Sequence, residues 1–209
     1  MSAPAASGLV DIRWGWDESL FHAINGLGWA WLDVVWVVTT SRPFGIAVTL
    51  VFAAWLAVRL KRQVVLPLAQ LGAAIAVTDA LGARVIKPAI GRARPSFVLA
   101  DELVRVLVPA SNVGSMPSLH SANAFAVATV VTLTYPRAGL AAFPVAFLIG
   151  VSRVGVGVHW PSDVLAGAVY GSSIGALIVF GARAALALRS RSSTLEAKQH
   201  GEPHQPDRP

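Results

Sequence analysis

Residues 151–163 read Val-Ser-Arg-Val-Gly-Val-Gly-Val-His-Trp-Pro-Ser-Asp, and so place an arginine, a histidine and an aspartate in one short connection between two apolar segments. Those residue types suit phosphoryl transfer. Arg153 can bind phosphate oxygens as a fork, His159 can attack phosphorus, and Asp163 can hold the imidazole with the correct nitrogen facing the substrate. Gly155 and Gly157 would let the backbone bend and approach an anion closely. Taken alone, the stretch reads equally well as a plain membrane turn. His159 and Trp160 would then be interfacial anchors, and Asp163 would sit in the first turn of the next helix, where the macrodipole favours it.

Two further constellations carry similar chemistry. Residues 87–95, Lys-Pro-Ala-Ile-Gly-Arg-Ala-Arg-Pro, offer Lys87 as a point charge and Arg94 as a fork for phosphate, or a basic run that attracts anionic headgroups. Residues 115–123, Ser-Met-Pro-Ser-Leu-His-Ser-Ala-Asn, place Pro117 and the N-cap candidate Ser118 at a helix start. Free backbone N–H groups and the positive dipole end would face an anion there, and His120 in the first turn could give a proton to a leaving oxygen. In isolation this stretch also reads as an ordinary capped helix with His120 held by a neighbour.

The elements that must position these residues are membrane-spanning. Hydrophobic residues make up 55% of the chain and charged residues only 13%, the profile of a polytopic membrane protein rather than a soluble domain. The 209 residues suffice for one integral membrane domain with short ends. Apolar runs predict six spans at about 29–40, 44–60, 64–86, 119–135, 140–151 and 164–186, preceded by an amphipathic interfacial lead-in over 11–27. The expected organisation is a disordered N-terminus over 1–10, the membrane domain over 11–188, and a polar, disordered tail over 189–209. No signal peptide is expected at the N-terminus.

The absence of cysteine excludes disulfides, thiolate catalysis and cysteine-based metal sites. The net charge of +6 is not gathered with aromatics on a soluble module, so it points to a membrane surface or phosphorylated lipid and not to nucleic acid. No carboxylate cluster suggests a two-metal site, so neither metal nor cofactor is expected. Arg59, Lys61, Arg62, Arg137, Arg183, Arg189, Arg191 and Lys198 fall on one side of the predicted spans. That side is the cytoplasmic one by the positive-inside rule. Both termini are then cytoplasmic, and the three constellations face the periplasm or cell exterior across a plasma (inner) membrane. Asp79, two turns before Lys87, is expected to pair with a site cation, with Arg84 or with another helix.

Together and in order, the motifs Lys-x6-Arg-Pro (87–95), Pro-Ser-x-His (117–120) and Ser-Arg-x5-His-x3-Asp (152–163) resemble the type 2 phosphatidic acid phosphatase (PAP2) superfamily of lipid phosphatases, which shares them with vanadium haloperoxidases and bacterial class A acid phosphatases. The resemblance implies an all-α, polytopic bundle with an acid phosphatase/haloperoxidase-like core. It implies a metal-independent phosphatase of a membrane lipid monophosphate or diphosphate, acting through a phosphohistidine. Matched by position, Lys87, Arg94, Ser118 and Arg153 would bind phosphate, His159 would be the nucleophile, Asp163 would orient it and His120 would be the general acid. Undecaprenyl diphosphate, phosphatidylglycerol phosphate, phosphatidic acid and lipid A phosphates all fit an outward-facing site. A phosphotransferase would use the same residues, a transporter would explain Asp33 and Asp79 without needing the triad, and a lipid-binding scaffold would explain the cations but not His120, His159 and Asp163. One departure stands out: Leu119 occupies the usual glycine of the second motif, which is harmless if the position has helical dihedrals.

Overall fold

A computed structural model describes residues 8–110 and 114–200, with side chains to residue 192. Its helices are α1 (Gly15–Asn25), α2 (Ala30–Thr39), α3 (Arg42–Leu60), α4 (Val65–Leu81), α5 (Leu119–Thr134), α6 (Gly139–Gly155) and α7 (Pro161–His200), joined by short helical turns. No strand is present among the described residues, and one isolated bridge joins Val10 to Arg92. The fold is all-α, a bundle of largely apolar helices.

Local chemistry sets the helix ends that matter for the site. Ser41 caps α3 by accepting a hydrogen bond from the Phe44 N–H at 3.3 Å, and Pro43 occupies the first turn, where a missing N–H costs nothing. At the other end of α3, Lys61 takes φ +50° and turns the chain into α4. α4 runs on through a π-helical turn, Gly82–Ile86, to Lys87–Ile90, and Gly91 stops it in the left-handed conformation that closes helices. The start of α3 and the end of α4 line the same cavity, so the two helices run antiparallel.

Length and apolarity qualify three stretches to cross a membrane: Arg42–Ile90, Pro136–Gly155 and Pro161–Ser192. A fourth is α1 with α2, if a pair bent by 114° counts as one span, while α5 is apolar but shorter. The expected count of six is therefore not reached by this measure. One reason is that α3 and α4 form a single helical run through the turn at Lys61. The lead-in also differs in detail. Trp14, Trp16 and Leu20 are exposed as expected of an interfacial helix, yet Asp17, Phe21 and Asn25, four residues apart, turn inward and are buried.

The centre of the bundle is the contact of α5 with α7. Gly167, Gly171 and Gly175, at four-residue intervals on one face of α7, lie against the α5 backbone. A Cβ at Gly167 would come 2.5 Å from the Ser118 carbonyl oxygen, one at Gly175 would come 2.9 Å from that of Ala126, and one at Gly171 would run into that of Ala122. Small residues at this spacing let two helix backbones approach until dispersion contacts replace the hydrophobic drive that a bilayer cannot supply. The same approach sets the register of the site: the Ser118 N–H donates to the Asp163 carbonyl at 2.9 Å and the Ser121 hydroxyl to that of Val164 at 2.8 Å. Around the distant half of this contact, Leu56, Leu71, Val130, Val131 and Val179 form the main core. Near the site, Phe21, Val104, Val154 and Trp160 form a second.

The ends differ from the expectation. Val10 exchanges backbone hydrogen bonds with Gly91 and Ala93, so residues 8–10 are part of the fold, while 1–7 lie outside the described residues. α7 continues to His200 instead of stopping near 188, because adding a residue to an existing helix costs far less than nucleating one. The rest of the expected tail, 201–209, lies outside the described residues.

The glycine contact generates a stability test. Alanine normally stabilises a helix over glycine by about 1 kcal/mol, yet Gly171→Ala should lower the thermal midpoint in detergent by several degrees, from overpacking of about 1–3 kcal/mol. Gly181→Ala, on the same helix with nothing within 4 Å of its Cβ position, should leave the midpoint unchanged or raise it. Equal midpoints for the two variants would contradict the backbone contact.

Candidate active site

The turn between α6 and α7 carries His159, with Arg153 in the last turn of α6 and Asp163 in the first turn of α7. The imidazole Nδ1 lies 3.2 Å from Asp163 Oδ2, which also accepts the Trp160 N–H at 2.9 Å. On the other side, a guanidinium N–H of Arg94 lies 3.1 Å from His159 Nε2 and also donates to the Val158 carbonyl at 2.9 Å. A guanidinium can only donate, so Nε2 must be the acceptor and the ring proton must sit on Nδ1, facing the carboxylate. That tautomer puts the ring's lone pair on Nε2, on the side facing Arg94.

A cavity of about 870 Å³ opens against this turn among α3, α4, α5 and α6. One end is polar, walled by Lys87, Arg94, His120, Arg153 and His159; the rest is mostly apolar, with Phe52, Ile75, Val127 and Ile149 among its lining residues, and Arg42, Thr49, Asp79 and Asn123 set among them. Lys87 is buried and donates to the carbonyls of Gly114 and Ser115 at 2.6 and 3.3 Å, which holds it against the chain leading into α5. The Arg153 guanidinium donates to the Thr40 hydroxyl, and its Nε is buried without a partner. Burial, reinforced by Arg94 and then Arg153 and Lys87, holds His159 neutral far below the ordinary imidazole range.

The structure thus gathers Lys87, Arg94, His120, Arg153 and His159 on one wall, with Asp163 directly behind the imidazole. Ser118 stands apart from that wall. It is fully buried, its hydroxyl has no partner and it does not cap α5, although it occupies the N-cap position. The first-turn amides of α5 have no intrahelical acceptors, as at any helix start.

Several expectations change. A Cβ at Gly155 would strike the Trp36 indole at 2.6 Å, and one at Gly157, at φ +82°, would strike the Arg105 carbonyl oxygen at 2.4 Å. These glycines therefore permit packing, not anion approach. Of the alternatives for Asp79, the partner on another helix is the one found: among the described residues it pairs with neither a site cation nor Arg84 and accepts a 2.8 Å hydrogen bond from Asn123 of α5. Leu119 has no positive φ and sits in the first turn of α5, where Gly82 makes room for its side chain: a Cβ at Gly82 would run into Leu119 Cδ2. The glycine of the family motif is thus dispensable here on conformational grounds.

Sequence reasoning missed the support behind Asp163. Arg92 is fully buried and donates to Asp163 Oδ1 at 2.7 Å, to Asp17 Oδ2 at 2.6 Å, to the Ser162 hydroxyl at 2.6 Å and to the Ile12 carbonyl at 2.9 Å. Asp17 in turn accepts the Ser162 N–H at 2.8 Å and its hydroxyl. Arg92 lies within the first motif, but the spacing of Lys87 and Arg94 drew the attention. Asp17 gave the signal of an acidic residue at a helix start, and nothing local marks it as buried.

The profile of the PAP2 superfamily matches residues 67–185, more than half of the chain and all of the wall described above. The chain belongs to the PAP2 superfamily. Among solved structures, LpxE of Aquifex aeolicus aligns over 81% of this PAP2 chain and 99% of its own with a TM-score of 0.63 and 27% identity. A PAP2-type phosphatidylglycerolphosphate phosphatase of Bacillus subtilis aligns over 80% of this chain and 84% of its own, with a TM-score of 0.59 and 28% identity. A lipid A 1-phosphatase of Rhizobium johnstonii is 38% identical over 99 residues, 46% of this chain and 40% of the relative. The chain thus matches less than half the length of that curated relative.

The neutral His159 has a consequence for pH. A depressed folded pKa means that the reactive neutral form persists as pH falls through 6.5 and is lost only below the shifted value. Measured on p-nitrophenyl phosphate, whose leaving group needs no general acid, and corrected for substrate ionisation, kcat/KM should therefore stay level past pH 6.5 and decline well below it. Arg94→Met, which removes the largest charge contribution after burial, should move that decline back toward 6.5. A wild-type decline already centred at or above pH 6.5 would contradict the assignment.

Proposed function

We propose that this PAP2 protein is a metal-independent lipid phosphatase of the plasma (inner) membrane, hydrolysing a phosphomonoester or diphosphate through a phosphohistidine at His159. The observation that carries this reading is the imidazole held between Asp163 and Arg94, with its acceptor nitrogen at the cationic end of an otherwise apolar cavity. The likeness to lipid A and phosphatidylglycerol phosphate phosphatases supports a lipid substrate.

The substrate phosphate would take the donors of Arg94, Arg153 and Lys87, which releases Nε2 of His159 from Arg94 and aligns it on phosphorus. Nε2 forms the P–N bond as the P–O bond to the lipid breaks, and His120 gives its proton to the departing oxygen. The Nδ1 proton stays on the ring, whose positive charge Asp163 balances. Water then attacks phosphorus, His120 takes its proton, and the P–N bond breaks to release phosphate. Charge on the equatorial oxygens is met by three cations and the start of α5, which is the bulk of what phosphoryl transfer asks of a protein.

Leaving-group chemistry separates the two histidines. A lipid alkoxide needs a proton from His120 whereas p-nitrophenolate does not, so His120→Ala should lose about 10²–10⁴-fold more activity on a lipid monophosphate than on p-nitrophenyl phosphate. His159→Ala should lose both alike. Activity should survive EDTA and be blocked by vanadate, a five-coordinate mimic of the transferring group. Equal losses for both histidine variants on every substrate would remove the acid role from His120, and EDTA inactivation reversed by Mg²⁺ would end the metal-free reading.

We place the site on the periplasmic or outer face. Arg59 lies over Trp55, Trp55 packs on Tyr135, and Arg183 donates to the Leu133 carbonyl. These cations cluster at the end of α5 away from His120, roughly 20 Å along the helix. A cysteine at Ala110 should react with an impermeant maleimide in intact cells and one at Gln63 should not; the opposite labelling would put the site in the cytoplasm.

A further inference from the structure

The cavity wall contains an acidic side chain that the phosphatase reading leaves unused. Asp79 lies in a membrane-spanning stretch, where a carboxylate is costly enough to need a reason. It makes no ion pair within 4.0 Å among the described residues, although Arg84 is five positions away. Its hydrogen-bond partner is Asn123 of α5, which donates to Oδ1 at 2.8 Å. Among the described residues, that leaves Asp79 Oδ2 with no hydrogen bond and Asn123 Oδ1 buried with no partner. Both residues line the same cavity as Lys87, Arg94, His120 and His159.

The wall therefore changes character with depth. At the mouth it presents cationic donors, which suit phosphate. At Asp79 and Asn123 it presents acceptors and a negative charge, which repel a second phosphate and suit an N–H or O–H. Beyond them it presents hydrocarbon from Phe52, Ile75, Val127 and Ala146. Asn123 is one helical turn from His120, about 4.5 Å along the axis, and Asp79 is two turns from Lys87, about 12 Å. A group meeting this step would sit within a few bonds of the phosphate.

We propose that Asp79 and Asn123 form a headgroup-reading step that accepts a hydrogen bond from a hydroxyl or amide N–H of the substrate next to its phosphate. The site then favours phosphorylated lipids with such a donor over those whose phosphate joins an ester-only or hydrocarbon skeleton. This rests on the phosphatase reading and deepens it to a substrate class. Asp79 is itself exposed toward the cavity, and a lost hydrogen bond to a charged acceptor is still worth about tenfold or more in kcat/KM.

Two lipid monophosphates with two chains each provide the test in mixed micelles. Ceramide 1-phosphate carries an amide N–H and a hydroxyl beside the phosphate, and dioleoyl phosphatidic acid carries neither. The wild-type protein should favour ceramide 1-phosphate in kcat/KM by about tenfold or more. Asp79→Leu and Asn123→Leu, which keep the volume and remove the acceptors, should bring the ratio near one. Asp79→Asn, the mildest change, should lower it several-fold, and turnover of p-nitrophenyl phosphate by each variant reports that the phosphate clamp is folded. A wild-type ratio near one, or a preference that survives in the folded variants, overturns the inference and leaves the phosphatase reading standing. If wild-type protein hydrolyses neither the two lipids nor p-nitrophenyl phosphate, the phosphatase reading itself fails and takes the inference with it.

Discussion

Everything at the polar end of this bundle is arranged around one buried guanidinium. Arg92 has no solvent exposure, and three segments supply its partners: the chain before α1 with the Trp14 indole, α1 itself, and the turn into α7 with the Trp160 indole, the two ring centroids lying 4.7 and 5.3 Å away. A buried cation is tolerable only when its donors are matched, and breaking one partner leaves the others uncompensated. Asp17 and Asp163 together bring two carboxylates to it, so each keeps a hydrogen-bonding oxygen for something else. Asp17 spends its own on Ser162, while Asp163 turns Oδ2 to His159. The orientation of the His159 imidazole is thus set from a helix more than a hundred residues earlier in the chain.

The residues of the three motifs were legible because chemistry dictates their types and separation: Lys87, Arg94, His120, Arg153 and His159 meet on one wall with Asp163 behind the imidazole, as their motifs implied. Their support was not. Asp17 lies in a segment whose exposed tryptophans resemble a membrane-surface helix, and the inward face of that helix becomes readable only once its partner Arg92 is placed. The glycines of α7 show the same limit. Gly167, Gly171 and Gly175 are small residues in an apolar run, and only the α5 backbone against them reveals that they set a contact. The number of spans was less legible for a different reason. Hydropathy cannot distinguish a continuous helical run with a turn at Lys61 from two separate spans, nor a sharply bent pair such as α1 and α2 from one.

Leu119 illustrates how a departure from a family pattern is absorbed. Its side chain occupies the space that Gly82 leaves open, and Gly82 begins the π-helical turn leading to Lys87. Two of the three motifs therefore meet through an apolar contact as well as through the Lys87 hydrogen bonds to Gly114 and Ser115. The first residue of α5 is thereby coupled to the path of the helix that carries the lysine.

The cavity's walls come from helices rather than from a domain standing in water. Under the proposed reaction, enzyme and lipid meet by lateral diffusion in two dimensions, so the quantity that governs occupancy is the mole fraction of substrate in the leaflet. Diluting the cell suspension would change nothing, whereas adding unreactive lipid would slow turnover. The two products also part company: phosphate crosses into the aqueous phase while the dephosphorylated lipid stays in the plane of the membrane. Dilution of phosphate into the aqueous volume, beside the large excess of water, then favours hydrolysis over the reverse reaction.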